Sequence, residues 1–245
     1  MFTRCFDGIR MARRRWVALA IATVLTTSAG WAVADEGLDI QAIIRDTQKM
    51  SRDPKSLTMA WWMPDEFWEA SIRQNPSATQ ATVDEFVNVT RKYTMVAVAD
   101  GKLSLLGSVT YASEQAVRSA TALVDQAGTS YAPLDEDAIA PDMKNLLSFM
   151  RPVIASLMGP LGQNIHFLLF PAKDRQDRRI ADAKREGGFS VKVGTATFKY
   201  RLPLGSVLPP KFDPKTGERF PGNYLYSPFT AVPLVNREPG KAPVE

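Results

Sequence analysis

The chain has 245 residues, 45% of them hydrophobic, and carries 30 Lys and Arg against 26 Asp and Glu. That length is enough to bury one sizeable core or two small ones. Arg4, Arg10, Arg13, Arg14, Arg15 and Asp7 all fall in the first 34 positions, which leaves 25 charges of each sign in the rest; a neutral body offers no broad field to nucleic acid, whose affinity rests on phosphate neutralisation.

Those first positions read as an export signal. Arg10 and Arg13 to Arg15 form a basic front, Val17 to Leu25 is apolar, and Ala32-Val33-Ala34 is a small-x-small cleavage site. The pattern predicts a cleaved signal over 1–34 and a single domain over 35–245, placed in the periplasm of a bacterial envelope or secreted beyond it. Arg13-Arg14 also loosely fits a twin-arginine signal, so the export route stays open between that and general secretion. Cys5, the single cysteine, lies in this segment. Residues 35–245 therefore have no disulfide, thiol nucleophile or thiolate metal site. No later stretch reaches the roughly 18 apolar residues of a membrane span.

Along the chain, residues 38–50 read as a helix on the stripe Leu38, Ile40, Ile43, Ile44, with Asp39 at its positive end. Leu57 to Met63 reads as a strand. Pro64 suits a helix start, with Asp65 and Glu66 in the first turn. Ser77 with Gln80 suggests a capping box for a helix over 78–91, whose apolar face is Val83, Phe86, Val87 and Thr90. From Tyr93 to Leu134 the pattern is a run of antiparallel strands. These are 93–98, a turn at Asp100-Gly101, 103–111, and 121–124 with a turn at 125–128; 113–119 is ambiguous. Pro141 opens a long helix to Met158, expected to kink at Pro152, to stop at Gly159-Pro160 and to be buried. Asn164 to Phe170, 189–193 and 196–202 read as strands, and the charged stretch 173–188 as an exposed loop. Nine of the last 43 residues are proline, which predicts an extended wrap with a hairpin near Tyr224 and a frayed end from Asn236. The composite is α+β: an antiparallel sheet or sandwich-like β core, two principal helices (78–91 and 141–158) packed on it, and a proline-rich C-terminal wrap from about 203.

Chemistry is sparse. His166 is the single histidine; its apolar neighbours Ile165 and Phe167 to Phe170 point to a structural role on a strand. No G-x-S-x-G elbow and no glycine-rich phosphate loop is present. Asp135, Glu136, Asp137 and Asp142 read as a solvated turn. Trp61, Trp62 and Trp68 are either core or the platform of a ligand groove, with Asp65, Glu66 or Glu69 at its rim. In the groove reading those three acids are the candidate catalytic residues for an enzyme acting on envelope glycans. Neither a metal nor another cofactor is expected.

Asp213-Pro214-Lys215-Thr216-Gly217 followed by Ser227-Pro228 resembles the paired knuckles of a zinc ribbon, in which a Cys-Pro-x-x-Gly turn precedes a second Cys-Pro turn. The resemblance covers about 20 residues. Asp213 and Ser227 stand where it would place cysteines, so it implies a turn-and-hairpin shape held by Tyr224, Tyr226 and Phe229 without the metal.

The expected function is non-catalytic: a periplasmic binding or structural protein whose partner is an envelope protein or glycan. The alternative is the glycan-directed enzyme above. Cleavage after Ala34 is the first testable consequence. Protein recovered from the periplasm should give Asp35 as its first residue in N-terminal sequencing.

Overall fold

Met59-Ala60-Trp61-Trp62-Met63 has no polar side chain on either face, so as a strand it must be covered on both. A computed structural model, which describes residues 37–237, shows how. These residues belong to the compact unit Glu36–Glu245; the expected signal over 1–34 lies outside the described residues. Strands β1 (Gln48–Met50), β2 (Met59–Met63), β3 (Tyr93–Ala99) and β8 (His166–Pro171) form one antiparallel sheet in the order β1-β2-β3-β8. Every residue of β2 and β3 is buried.

Register sorts the two faces. Trp61 lies opposite Ala97 and Trp62 opposite Val96. Ala97 in turn faces Phe167 on β8, and Val98 faces His166. Consecutive side chains alternate, so Trp61, Met95, Ala97, Phe167 and Leu169 share one face. Trp62, Val96, Val98, His166 and Leu168 share the other.

The Trp61 face is covered by helices α2 (Asp65–Arg73), α3 (Gln80–Thr90) and α5 (Pro141–Gln163). Trp61 meets Phe67 edge-on at 5.2 Å, Phe67 meets Trp68 at 4.9 Å, and Trp68 reaches Phe86 of α3 at 5.4 Å. The start of α5 is tied to the sheet by Ala140 N–H, which donates to the Tyr93 hydroxyl at 2.9 Å. Helix α1 (Ile40–Thr47) packs at the β1 side; Asp39 caps it by accepting from Gln41 and Ala42 N–H.

The Trp62 face is covered by a second antiparallel sheet. It is built from β6 (Thr121–Val124), β7 (Ser130–Tyr131), β9 (Gly187–Val193) and β10 (Ala196–Leu202) in the order β10-β9-β6-β7. Trp62 meets Phe189 at 5.0 Å and Tyr200 at 5.9 Å, both edge-on, and Phe189 stacks on Tyr200 at 4.7 Å. Tyr200 donates its hydroxyl to Ala60 C=O at 2.9 Å, a buried bond from one sheet to the other. Its burial raises the phenol well above the ordinary range and keeps the donor in place. The fold is thus α+β: a two-sheet sandwich with helices on the outer face of the first sheet.

Several local expectations need correction. Thr79, not Ser77, caps α3, accepting from Thr82 N–H; Ser77 is held by Asn75 instead. Residues 103–111 are not one strand. Strands β4 (Gly101–Leu103) and β5 (Val109–Tyr111) make a hairpin whose turn closes through Ser104 and Ser108, because Gly107 adopts φ +81°. The ambiguous 113–119 stretch is helix α4 (Glu114–Ala120), capped by Ser113. Helix α5 does not break at Pro152. Its one non-helical residue is Gly159, at φ 57° and ψ −136°, and the chain turns helical again to Gln163. Nor is α5 fully buried: Met143, Leu147 and Met150 face the core, while Phe149 and Val153 are exposed.

Replacing Trp62 with Ala removes the side chain that meets both Phe189 and Tyr200 of the second sheet. Denaturant unfolding should register a loss of about 3–5 kcal/mol. Tyr200→Phe, which leaves packing intact and removes the hydroxyl's bond to the Ala60 carbonyl, should cost about 0.5–1.5 kcal/mol.

Candidate functional site

Trp61, Trp62 and Trp68 are 5%, 1% and 6% exposed. All three are core residues, so the expected tryptophan groove is corrected: alternation along β2 sends two of the indoles to opposite faces of a covered sheet. The Trp61 and Trp68 indole N–H groups are buried with no hydrogen-bond partner among the described residues.

Of the three acids beside them, Glu66 is buried and Asp65 and Glu69 are partly exposed. Asp65 and Glu66 occupy the first turn of α2, where the unpaired N–H groups favour negative charge. Each is paired to the 172–186 loop: Asp65 to Arg179 at 3.2 Å, Glu66 to Lys184 at 3.4 Å. Glu69 is engaged within the helix by Arg73 at 3.1 Å. Burial pushes the Asp65 carboxyl up from its ordinary value; Arg179 opposes that rise and Glu66 adds to it.

The loop holding these cations is not the exposed loop the charge density suggests. Ile180, Ala181 and Ala183 are buried, and its backbone is tied by Ile180 N–H to Ala172 C=O and Leu204 N–H to Ala183 C=O. Asp174 accepts from the Gln176 and Arg178 amides and the Arg178 side chain, which holds its carboxyl below the usual range. Between α2 and this loop lies a cleft of about 180 Å³, lined by Pro64, Asp65, Glu66, Arg179, Asp182 and neighbours. A wider one of about 390 Å³ opens on the other side of Arg179 and Asp182. Asp65 and Glu66 are sequence neighbours on one wall, each neutralised by a loop cation. A glycosidase places its two acids on opposite sides of the scissile bond.

His166 lies on the Trp62 face at the edge of the sandwich. Its Nδ1 is 3.8 Å from a Glu114 carboxylate oxygen, and its Nε2 is buried without a partner among the described residues. Glu114 is shared with Arg151 at 3.3 Å. No serine, threonine or second acid completes a relay there among the hydrogen bonds of the described residues. The turn acids are surface features: Asp135 is 3.5 Å from Arg118, and Asp142 is 3.7 Å from Lys92. Among the described residues no three His, Cys, Asp or Glu side chains group closely enough to hold a metal.

The C-terminal segment carries a different construction. Strands β11 (Lys211–Phe212) and β12 (Arg219–Phe220) pair around a turn in which Asp213 accepts from Lys215 N–H at 2.8 Å and Thr216 N–H at 3.3 Å. Gly217 N–H closes back on Asp213 C=O, with φ +74°. Fourteen residues on, the arrangement recurs. Ser227 Oγ accepts from Phe229 N–H at 3.4 Å and Thr230 N–H at 3.2 Å, and Ala231 N–H closes on Ser227 C=O with φ +55°. The two turns face each other. The Thr230 hydroxyl donates to the second Asp213 oxygen, and Ser227 bonds the same carboxylate. Where a zinc ribbon would join its knuckles through a metal, an aspartate and two hydroxyls join these through hydrogen bonds. Asp213 and Ser227 are buried. The bonds hold the Asp213 carboxyl down at about 2.

Between and beside the turns stand exposed apolar side chains: Leu225 at 67%, Tyr226 at 61% and Phe229 at 75%, with Tyr224 also exposed. Phe220 is their buried anchor, 6.3 Å from Tyr224 and 6.1 Å from Phe229. The sequence pattern had shown the turn positions but not the Thr230 link, since a lone threonine carries no spacing signal. Comparison with family models, curated proteins and solved structures finds no match to this chain.

Asp213 makes the turn pair sensitive to acid in a definite direction. A carboxylate whose folded pKa is lowered from 3.8 to about 2 contributes stability that is complete above the unfolded value and is lost as pH falls through the folded one. Asp213→Asn should therefore lower Tm at neutral pH. The gap to the wild type should close across roughly pH 4 to 2 in thermal unfolding followed by circular dichroism. A gap of constant size down to pH 2 would mean that the charge contributes nothing.

Proposed function

We propose that this chain is an exported, non-catalytic binding or structural protein of a bacterial envelope, and that it recognises a protein partner through its C-terminal aromatic segment. The observation that carries this reading is Tyr224, Leu225, Tyr226 and Phe229, exposed together on a hydrogen-bonded frame instead of buried. Large apolar side chains held outward on a fixed backbone are costly to leave wet and suit the centre of an interface. Pro221, Pro228 and Pro233 limit the backbone further, so little entropy is lost on docking. The basic front, apolar stretch and small-x-small site of residues 1–34 support export. Among the described residues no helix is long and apolar enough to cross a membrane.

One observation favours the enzyme reading: the raised carboxyl of Asp65 beside a cleft is the kind of group that donates a proton in glycan hydrolysis. Its close pairing with Arg179 and the narrowness of the cleft weigh against a sugar entering there.

The two readings part in one experiment. A photo-crosslinking residue placed at position 226 in cells should capture a discrete envelope protein. Phe229→Ala with Tyr224→Ala should abolish that capture without lowering Tm by more than a few degrees, since both side chains are exposed. Asp65→Asn should leave it unchanged. Release of glycan fragments from purified envelope by the wild type, lost in Asp65→Asn, would overturn the non-catalytic reading.

A further inference from the structure

The β4–β5 hairpin ends in Ser104-Leu105-Leu106-Gly107-Ser108, and its two leucines are 105% and 96% exposed. They sit at the two central positions of a turn that is fully made by its neighbours. Gly107 N–H donates to Ser104 C=O at 3.0 Å, and Ser104 N–H to Ser108 C=O at 2.8 Å. The Ser104 and Ser108 hydroxyls meet at 2.7 Å, and Gly107 supplies the positive φ. Folding thus gains nothing from Leu105 or Leu106. Polar residues and glycine dominate such positions because each serves the turn; two leucines there serve something outside the fold.

The tip is convex, which distinguishes it from a groove awaiting a peptide. The hairpin itself carries charge of one sign. Residues 101–112 contain no acid and one base, Lys102. The segment alongside β4 brings Lys55, whose carbonyl accepts from Leu103 N–H at 3.0 Å, and Ser56 bridges to Lys102. Both lysines are exposed. Two acids lie farther back: Asp53, which accepts from the Lys55 amide at 2.9 Å, and Asp100 at the hairpin base, which accepts from the Thr58 hydroxyl at 2.7 Å. Leu103, itself exposed, lies behind the leucine pair. An apolar point backed by hydroxyls and flanked by two lysines matches a bilayer layer by layer: acyl chains for the leucines, glycerol and phosphate depth for the serines and lysines.

We infer that the Leu105–Leu106 tip is a membrane-surface anchor that inserts into an anionic lipid leaflet, with Lys55 and Lys102 contacting headgroup phosphates. This surface is separate from the C-terminal aromatic segment, and its insertion does not depend on what that segment binds.

The test uses the full chain with Cys5→Ser, so that one introduced cysteine takes an environment-sensitive dye. Placed by Leu106→Cys, the dye should shift to the blue on adding vesicles of phosphatidylethanolamine and phosphatidylglycerol. The shift should need several-fold less lipid than with phosphatidylcholine alone. Placed by Lys192→Cys, on the solvent side of β9, it should not shift. Leu105→Ser in the 106-labelled chain should raise the lipid needed for half the shift about tenfold or more. Because the dye reads its own surroundings, attachment through residues 1–34 alone would leave both positions unshifted and would overturn the anchor. So would equal shifts at 106 and 192. A shift at 106 produced by soluble envelope proteins and not by vesicles would replace the lipid with a protein pocket.

Discussion

The structure depends on a sheet with no free face. Strands β2 and β3 are buried along their whole length, and a strand in that position cannot be stabilised by one partner layer alone. Trp61 and Trp62 express the requirement in two adjacent residues: one indole is covered by Phe67 of α2, the next by Phe189 and Tyr200 of the second sheet. Each covering layer is itself one-sided. In β9 and β10, Phe189, Val191, Phe198 and Tyr200 point in while Lys192, Lys199 and Arg201 stay in solvent. The chain thereby reaches a three-layer core without disulfides among the described residues, through apolar area alone.

That constraint also fixes what the acids near the tryptophans do. Helix α2 must bring Phe67 and Trp68 down onto the sheet, and this seats its first turn close to the loop that links β8 to β9. The loop answers with Arg179 and Lys184. Both pairs are partly buried, where removing one partner leaves an uncompensated charge and costs more than the pair itself contributes. The arrangement works as a clasp between a helix start and a docked loop, and the raised carboxyl of Asp65 follows from the burial that docking imposes. A perturbed acid is often read as a catalytic one; here the perturbation has a structural cause in view.

Much of this architecture was legible in the sequence, and the failures have common physics. The strand read over 57–63, the helix starts at Asp39 and Pro64, and the alternation in 189–193 and 196–202 are local signals that the structure follows, although the first helix, read to 50, ends at Thr47 and gives way to β1. Two four-stranded sheets were not legible, because β3 and β6 lie in one apparent run yet pair with partners far along the chain. The 103–111 stretch read as a strand because Leu105 and Leu106 look like core residues, when they are the most exposed leucines described. Pro152 failed as a break, and the regular geometry ends instead at Gly159, which has the positive φ. Tryptophan burial illustrates the limit for sites. The same three residues serve a groove or a core, and only the layer that covers them decides.

The C-terminal segment shows how a chain holds shape where apolar burial is scarce. Its strands are two residues long and cannot be stable alone. Two turns of matching hydrogen-bond pattern are joined through one buried carboxylate, so the link that a metal makes in a zinc ribbon is made here by charge-assisted bonds. The exchange has a consequence for what the segment presents. A metal frame depends on an ion and on reduced thiols, while this frame depends on the charge of Asp213, which its hydrogen bonds retain down to about pH 2. Asp213 and its hydroxyl partners therefore keep Tyr226 and Phe229 facing outward with neither a thiol nor a metal in the frame. The polar turn pair and the apolar surface it carries are one device, in which hydrogen bonds set the geometry that leaves the rings exposed.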